Sequence, residues 1–421
     1  MLFALTLFWL LANCQSQRLE CPPNTTGLAF KMLESNIGRD QGLQAGSGAL
    51  GMIELGIFQQ ALRNSIARSD DEAQRQRWSK LLDMSTSSAI ENLANATRDI
   101  EFPLDRLSVG TSMILQYQEF KNESYVPAIG ALQTSVLNQP RNANGGLWYY
   151  NNVNNISAYH NLSYLDGMFS YAPFAVLSQA TNQTSDAELL SASGALDQFL
   201  ILHNITKRDD GLLVHGYDAS KNHAWADPGT GASPVVWGRA LAWYTLGLVN
   251  SLEFLLHQSS SSAVSKHLRK LFKDIIRAQL IASDRSLQIE GSYGVWQVVD
   301  HPGASFNGTK NFIEASATVM TAYSLLRGAR LGLLDDLELK LRAQITGVGM
   351  FQTARQNFLI ENRNGTLSYN GTSVVCTLSG NVDYSYYVTR PTALNALIGT
   401  SAFILASLEV EKLCSHGLSY Y

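Results

Sequence analysis

The chain has 421 residues, with 31 Lys and Arg against 35 Asp and Glu and a formal charge of −4. Hydrophobic residues make up 45%, which excludes a disordered chain, and no basic excess exists to neutralise a nucleic-acid backbone. Charged residues reach only 16%, below the usual ~25%, and 27 Asn with 65 Ser and Thr take their place.

In chain order, the first feature is the apolar run from Leu2 to Ala12, broken only by Thr6. It is too short to span a bilayer and fits the apolar core of an export signal, although no Lys or Arg precedes Arg18. Small residues around Ala12-Asn13-Cys14 suit a signal peptidase, so residues 1–14 are expected to be a signal peptide and residues 15–421 a single domain. No later run approaches the ~18 apolar residues of a membrane span, and no membrane anchor is expected.

Apolar residues recurring at three and four positions predict helices over Gly46–Arg63, Asp71–Asn95, Asp105–Lys121, Ser124–Leu137, Leu165–Ala180 and Asp186–Asn204. The pattern resumes over Gly238–Leu256, Ala263–Ala282, Glu314–Leu331, Asp335–Ala354 and Leu394–Lys412, and Leu28–Ile37 is a further candidate. Asp71 and Asp186 suit helix starts, and Gly332 follows a helix ending in Arg327 and Arg330. Strand-like segments are few: Gly211–Tyr217, Gly294–Val299 and Val374–Leu378. The Ser run 259–262 reads as an interhelix loop rather than a linker between domains. Eleven or twelve helices leave little room for a sheet domain. Helical hairpins that cannot bury their apolar faces alone close as six pairs around one axis, giving an all-α (α/α)6 barrel. An open solenoid is the alternative, weakened by the lack of a fixed repeat.

Aromatic and polar residues concentrate between the helices. Asp166, within 164-YLDGMFSYAPF-174, stands at a helix start, where it either caps the helix or presents a carboxylate to an aromatic pocket. The stretch 211–244 crowds His215, Asp218, His223, Trp225, Trp237, Arg239 and Trp243 together, a composition that suits sugar stacking and hydrogen bonding. Glu314 opens another helix, where capping is the default expectation, and Tyr384, Tyr386, Tyr387 and Arg390 precede the last helix. Gly46, Gly48 and Gly51 match a dinucleotide-binding spacing, but no strand precedes them and the match is read as chance. No HExxH or HxH motif is present, and no metal or cofactor is expected.

Ten Asn-X-Ser/Thr sequons occur, at Asn24, Asn95, Asn122, Asn155, Asn161, Asn182, Asn204, Asn307, Asn364 and Asn370, where chance gives about four. The excess favours a secreted, N-glycosylated protein. Once Cys14 leaves with the signal, Cys21, Cys376 and Cys414 remain, allowing a Cys21–Cys414 or a Cys376–Cys414 disulfide and one free thiol.

Several of these segments resemble one family. QPR at 139–141, GGLW at 145–148, LDGMF at 165–169 and GLLVHGYD at 211–218 carry the likeness. WADPGTG at 225–231, SPVVWGRALAWY at 233–244 and EASATVMTAYSLLRGARLG at 314–332 continue it. The chain is identified by these motifs, from about Asp105 to Glu411, as similar to glycoside hydrolase family 105, the unsaturated rhamnogalacturonyl hydrolases. The resemblance implies an (α/α)6 barrel that acts, without metal or cofactor, on oligosaccharides ending in a uronic acid with a C4=C5 double bond. It implies Asp166 as the catalytic acid and base, and Asp105, Trp148, Tyr164, His215, Trp237, Arg239 and Trp243 as substrate-binding residues. Arg239 is the candidate for holding the uronate carboxylate. The sequence departs from the family at Tyr149 and Tyr150, where basic or imidazole side chains are usual, and in a longer stretch from Trp148 to Asp166 containing His160. This stretch borders the expected leaving-sugar subsite, so a glucuronyl substrate is the alternative. Two further readings are an inverting glycosidase using Asp105 and Asp166, and a carbohydrate-binding protein without activity.

Overall fold

The computed structural model describes residues 21–23, 25–45, 51–151, 157–179, 188–256 and 263–415. The signal segment, Gly46 and Gly48, Asp186 and the Ser run 259–262 lie outside them.

Twelve longer helices are found among the described residues. They are α1 (Leu28–Ile37), α2 (Gly51–Arg68), α3 (Glu72–Ser87), α4 (Arg106–Phe120), α5 (Val126–Leu137) and α6 (Gly167–Ser178). They continue as α7 (Ala192–Thr206), α8 (Gly238–Leu256), α9 (Ala263–Glu290), α10 (Ala315–Arg330), α11 (Leu337–Asn357) and α12 (Leu397–Ser415). The even-numbered helices pack each against the next, and α12 packs back on α2 to close an inner ring. The odd-numbered helices lie outside it, with α1 on α12, α3 on α2, α5 on α4, α7 on α6, α9 on α8 and α11 on α10. This is the (α/α)6 barrel.

The two rings differ in how much of each helix is buried. All 12 residues of α6 are buried, and α10 buries every residue from Ala315 to Ala329. The outer α9 buries only a stripe, including Leu268, Leu271, Phe272, Ile275 and Ile276, at helical spacing. Inner helices also meet at close range: a Cβ added at Gly247 of α8 would collide with the Met168 backbone of α6.

Of the two pairings open to the sequence, the structure forms Cys21–Cys414 and leaves Cys376 as a free, buried thiol. The bond welds the segment before α1 to the end of α12, where Glu411 Oε1 also accepts from Gly27 N at 3.1 Å. Replacing Cys21 and Cys414 with Ala is expected to cost about 2–5 kcal/mol of stability, because the bond closes a loop of almost the whole chain. Denaturant unfolding of the variant reads this. Activity should survive below the melting temperature, since Cys414 lies roughly 24 Å along α12 from its pocket end.

Four predicted elements differ. The helix expected to reach Asn95 ends at Ser87, where Ser87 and Ser88 hydroxyls bond back to Met84 and Ser85 carbonyls. Such local bonds offer the backbone an alternative to the helix ladder, and Asn95 instead caps the short helix Ala96–Asp99. The predicted strand Gly211–Tyr217 contributes only its end, to β2 (Gly216–Asp218), which pairs antiparallel with β1 (Leu162–Tyr164). Gly294–Val299 makes isolated bridges and Val374–Leu378 forms no ladder. In the latter, carbonyls of Val374 and Val375 accept from Arg239 and Arg390, so arginine side chains stand where a neighbouring strand would.

Candidate active site

The inner helices all begin at one end of the barrel. Ile53 and Glu54 from the first turn of α2, Asp105 before α4, Asp166 before α6 and Ile398 from α12 meet there around a pocket. Trp237, Arg239 and Trp243 enter it from the start of α8. Convergent N-terminal helix ends present partial positive charge to whatever occupies the pocket.

Asp166 is placed by the short sheet. Tyr164 pairs with Gly216, and Leu165 N donates to His215 O at 3.0 Å, so the residues just past the paired strands face each other. Asp166 Oδ2 lies 3.3 Å from His215 Nε2. That approach lacks hydrogen-bond alignment, and both atoms are buried without a protein hydrogen bond. On the far side, His215 Nδ1 sits 2.8 Å from Tyr387 Oη, which fixes the ring. Asp166 makes no capping bond to α6, unlike Asp71, Ser191, Asp336 and Glu314 at their helices. Of the two roles open to it from sequence, capping is therefore excluded. Asp166 Oδ2 is thus a buried carboxylate oxygen left without a hydrogen bond at a helix start, on a residue that lines the pocket.

Asp105 also precedes its helix without capping it. Tyr149 Oη donates to its Oδ1 at 2.5 Å, and Oδ2 has no partner. Burial pushes the Asp105 carboxyl up to about 8; the charges of Asp166 and Glu54 add to the rise, while Tyr149 and Arg106 oppose it. Asp105 therefore holds a proton at neutral pH. Its folded-state value lies above the ~3.9 of an unfolded chain. The stability it contributes is present below about pH 4 and is lost as pH rises through about 8. The Asp105 contribution to the wild-type melting temperature should fall between about pH 4 and 8, and Asp105→Asn should flatten that fall.

Aromatic rings wall the pocket. Tyr149 and Tyr164 stack with centroids 4.6 Å apart and planes at 2°, and Tyr150 meets Tyr149 edge-on at 4.7 Å. Tyr164 Oη accepts from Leu378 N at 2.8 Å, holding the irregular 374–378 segment against the wall. Trp237 carries the Arg239 guanidinium over its ring at 4.6 Å, and Trp243 packs on Phe169.

Three expected binding residues sit differently from the sequence reading. His215 is fully buried behind Asp166 and does not line the pocket, so it reaches the site through that carboxylate. Trp148 does not line the pocket but stacks on His160 at 5.0 Å. The segment is extended there: Trp148 N donates to Pro140 O and Tyr149 N to Leu162 O on the other side, so neighbouring side chains diverge and Tyr149 takes the inward place. Arg239 does line the pocket, but its fork is not free for a bidentate clamp. Nη1 donates to Ser373 O at 2.7 Å and Ser373 Oγ at 3.1 Å and lies 3.3 Å from Glu314 Oε1, while Nη2 donates to Val374 O at 3.0 Å. Glu314 both caps α10 and serves as this buried counter-charge.

Sequence reasoning missed Glu54 and placed no role on Tyr149 or Cys376. Glu54 lies in an ordinary amphipathic helix, and nothing local marks it. Tyr149 was visible only as a departure from the family pattern. Cys376 also lines the pocket, where burial pushes its thiol up to about 12.

The glycosyl hydrolase family 88 profile matches residues 61–414. The chain belongs to that family. It is a glycoside hydrolase. The "24.9 kDa protein in picA locus" of Rhizobium radiobacter is 34% identical over 222 residues, covering 51% of this chain and 88% of that protein. A solved glycoside hydrolase of family 105 from C. acetobutylicum superposes with a TM-score of 0.76 at 25% identity, over 92% of this chain and all of that one. The unsaturated glucuronyl hydrolase of Bacillus sp. GL1 shares the fold, with a TM-score of 0.65 at 15% identity over 92% of this chain and 96% of that one. The family 105 likeness read from the motifs thus agrees with the likeness in three dimensions.

Proposed function

We propose that this hydrolase removes the terminal unsaturated uronyl residue from oligosaccharides left by a polysaccharide lyase, with rhamnogalacturonan products as the first choice and β-glucuronyl products as the alternative. The observation that carries this reading is Asp166, an uncapping, bare carboxylate beside His215 in an aromatic pocket. In the reaction Asp166 delivers its proton to C4 of the C4=C5 bond, and the resulting cation at C5 takes a water molecule. The ionised Asp166 accepts the proton that this water loses, so the carboxyl ends as it began. The C5 hydroxyl makes the ring a hemiketal. Its C5–O bond opens, C1 becomes a hemiacetal, and the next sugar leaves with a hydroxyl proton. His215, fixed by Tyr387, orients Asp166, and the Tyr149–Tyr164 pair forms a stacking wall for the ring.

The test follows ultraviolet absorbance of the conjugated double bond across rhamnogalacturonyl and glucuronyl disaccharides made by lyases. Absorbance should fall with release of the second sugar, and saturated analogues should stay intact. Turnover of the saturated analogues would make the protein a conventional two-carboxylate glycosidase.

The same reading places the protein outside the cell as a glycoprotein. In support, none of the seven sequon asparagines among the described residues is buried, and a disulfide joins Cys21 before α1 to Cys414 at the end of α12. Endoglycosidase treatment of protein secreted by a glycosylating host should lower its mass.

A further inference from the structure

Three acids face the pocket: Glu54, Asp105 and Asp166. Arg239 is the only Lys or Arg among the described residues that line it, and Glu314 already stands 3.3 Å from its Nη1. Asp105 is tied to Tyr149, and Asp166 faces His215. Glu54 differs from both. It projects from the first turn of α2, remains partly exposed, and has no hydrogen-bond or ion-pair partner among the described residues. Burial raises its carboxyl, and the nearby charge of Arg239 opposes the rise. Nothing in the fold uses this carboxylate. A partly buried acceptor on a pocket wall, in a protein whose substrate is a polyol, is suited to a ring hydroxyl, because a hydroxyl–carboxylate bond is short and charge-assisted. The same charge repels an anionic group placed where that hydroxyl would be.

We propose that Glu54 is a specificity residue that accepts a hydroxyl of the uronyl ring in the pocket and excludes rings sulfated at that hydroxyl. The substrate class is thereby narrowed to unsulfated unsaturated uronyl oligosaccharides. The inference rests on the reaction proposed above. Two neighbours bear on it. Tyr149 and Tyr150 form part of the pocket wall and carry no charge, so no cation is supplied there to receive a sulfate. Arg239, the remaining cation, is held by Ser373, Val374 and Glu314.

The experiment compares kcat/KM of wild type, Glu54→Gln and Glu54→Ala on an unsaturated uronyl disaccharide and on its two derivatives sulfated at O2 or at O3 of the unsaturated ring, the ring's two hydroxyl positions. Wild type should favour the unsulfated compound over at least one of the derivatives by at least ~100-fold, and both variants should raise the KM for the unsulfated compound about tenfold while narrowing that preference at least ~10-fold. A purely structural role for Glu54 would lower all the activities together and leave the ratios intact; that result overturns the inference while the reaction stands. Equal turnover of all three compounds by wild type also overturns it. Wild type inert on every unsaturated disaccharide overturns the reaction and the inference with it. Thermal unfolding of both variants accompanies the kinetics, so that a loss of fold is separated from a loss of recognition.

Discussion

Replacing Asp166 with Asn is expected to lower kcat on an unsaturated uronyl disaccharide by ~10²–10⁴ or more, with KM changed far less. One group gives a proton to carbon and then takes one from water, and the amide does neither. Substitution keeps the shape of the side chain and removes no structural bond, because Asp166 caps no amide of α6 and its Oδ2 has no hydrogen bond. The variant should therefore unfold at nearly the wild-type temperature by circular dichroism. A variant that folds normally and retains full turnover would remove Asp166 from the mechanism. His215→Ala provides a graded comparison. It takes away the group beside Asp166 and should reduce kcat by a smaller factor, since the acid itself remains.

The largest expected stability effect belongs to Arg239. Replacing it with Met should cost about 3–5 kcal/mol, measured by denaturant unfolding, because a buried charge partner is removed and Glu314 is left uncompensated. The same change deprives the Ser373 and Val374 carbonyls of a donor. The 374–378 segment has no sheet ladder, so its path depends on these bonds and on Tyr164 Oη at Leu378 N. Pairing Arg239→Met with Glu314→Gln should recover part of the loss, because the double variant no longer buries a lone carboxylate. If the single variant unfolds like wild type, Arg239 is free to serve the substrate, as the sequence suggested.

The barrel was legible because its signal is repeated. Apolar residues at three- and four-residue spacing recur in helix after helix, and the stripe they form on α9 is the face that is buried. Segments without such repetition were not legible. Val374–Leu378 reads as a strand by composition, yet arginine side chains from distant parts of the chain satisfy its carbonyls. Asp166 and His215 were singled out by motif, but their 3.3 Å approach depends on the register of β1 against β2. Trp148 and Tyr149 are neighbours in sequence, and which of them faces the pocket is decided by a backbone bond to Leu162.

By itself the sequence determined the number and order of the helices, the family, and which residues could carry chemistry, because periodicity and motifs are local properties of the chain. The tertiary structure decided which of those residues share one pocket. Closing the ring brings the first turns of the inner helices together, although Ile53 and Ile398 are far apart in the chain, and only that closure adds Glu54 to Asp105 and Asp166. The low charge content noted at the outset gains a physical meaning there. Few charges exist, and burial of Asp105 in that pocket, with the charges of Asp166 and Glu54 adding to it, raises its carboxyl enough to hold a proton at neutral pH.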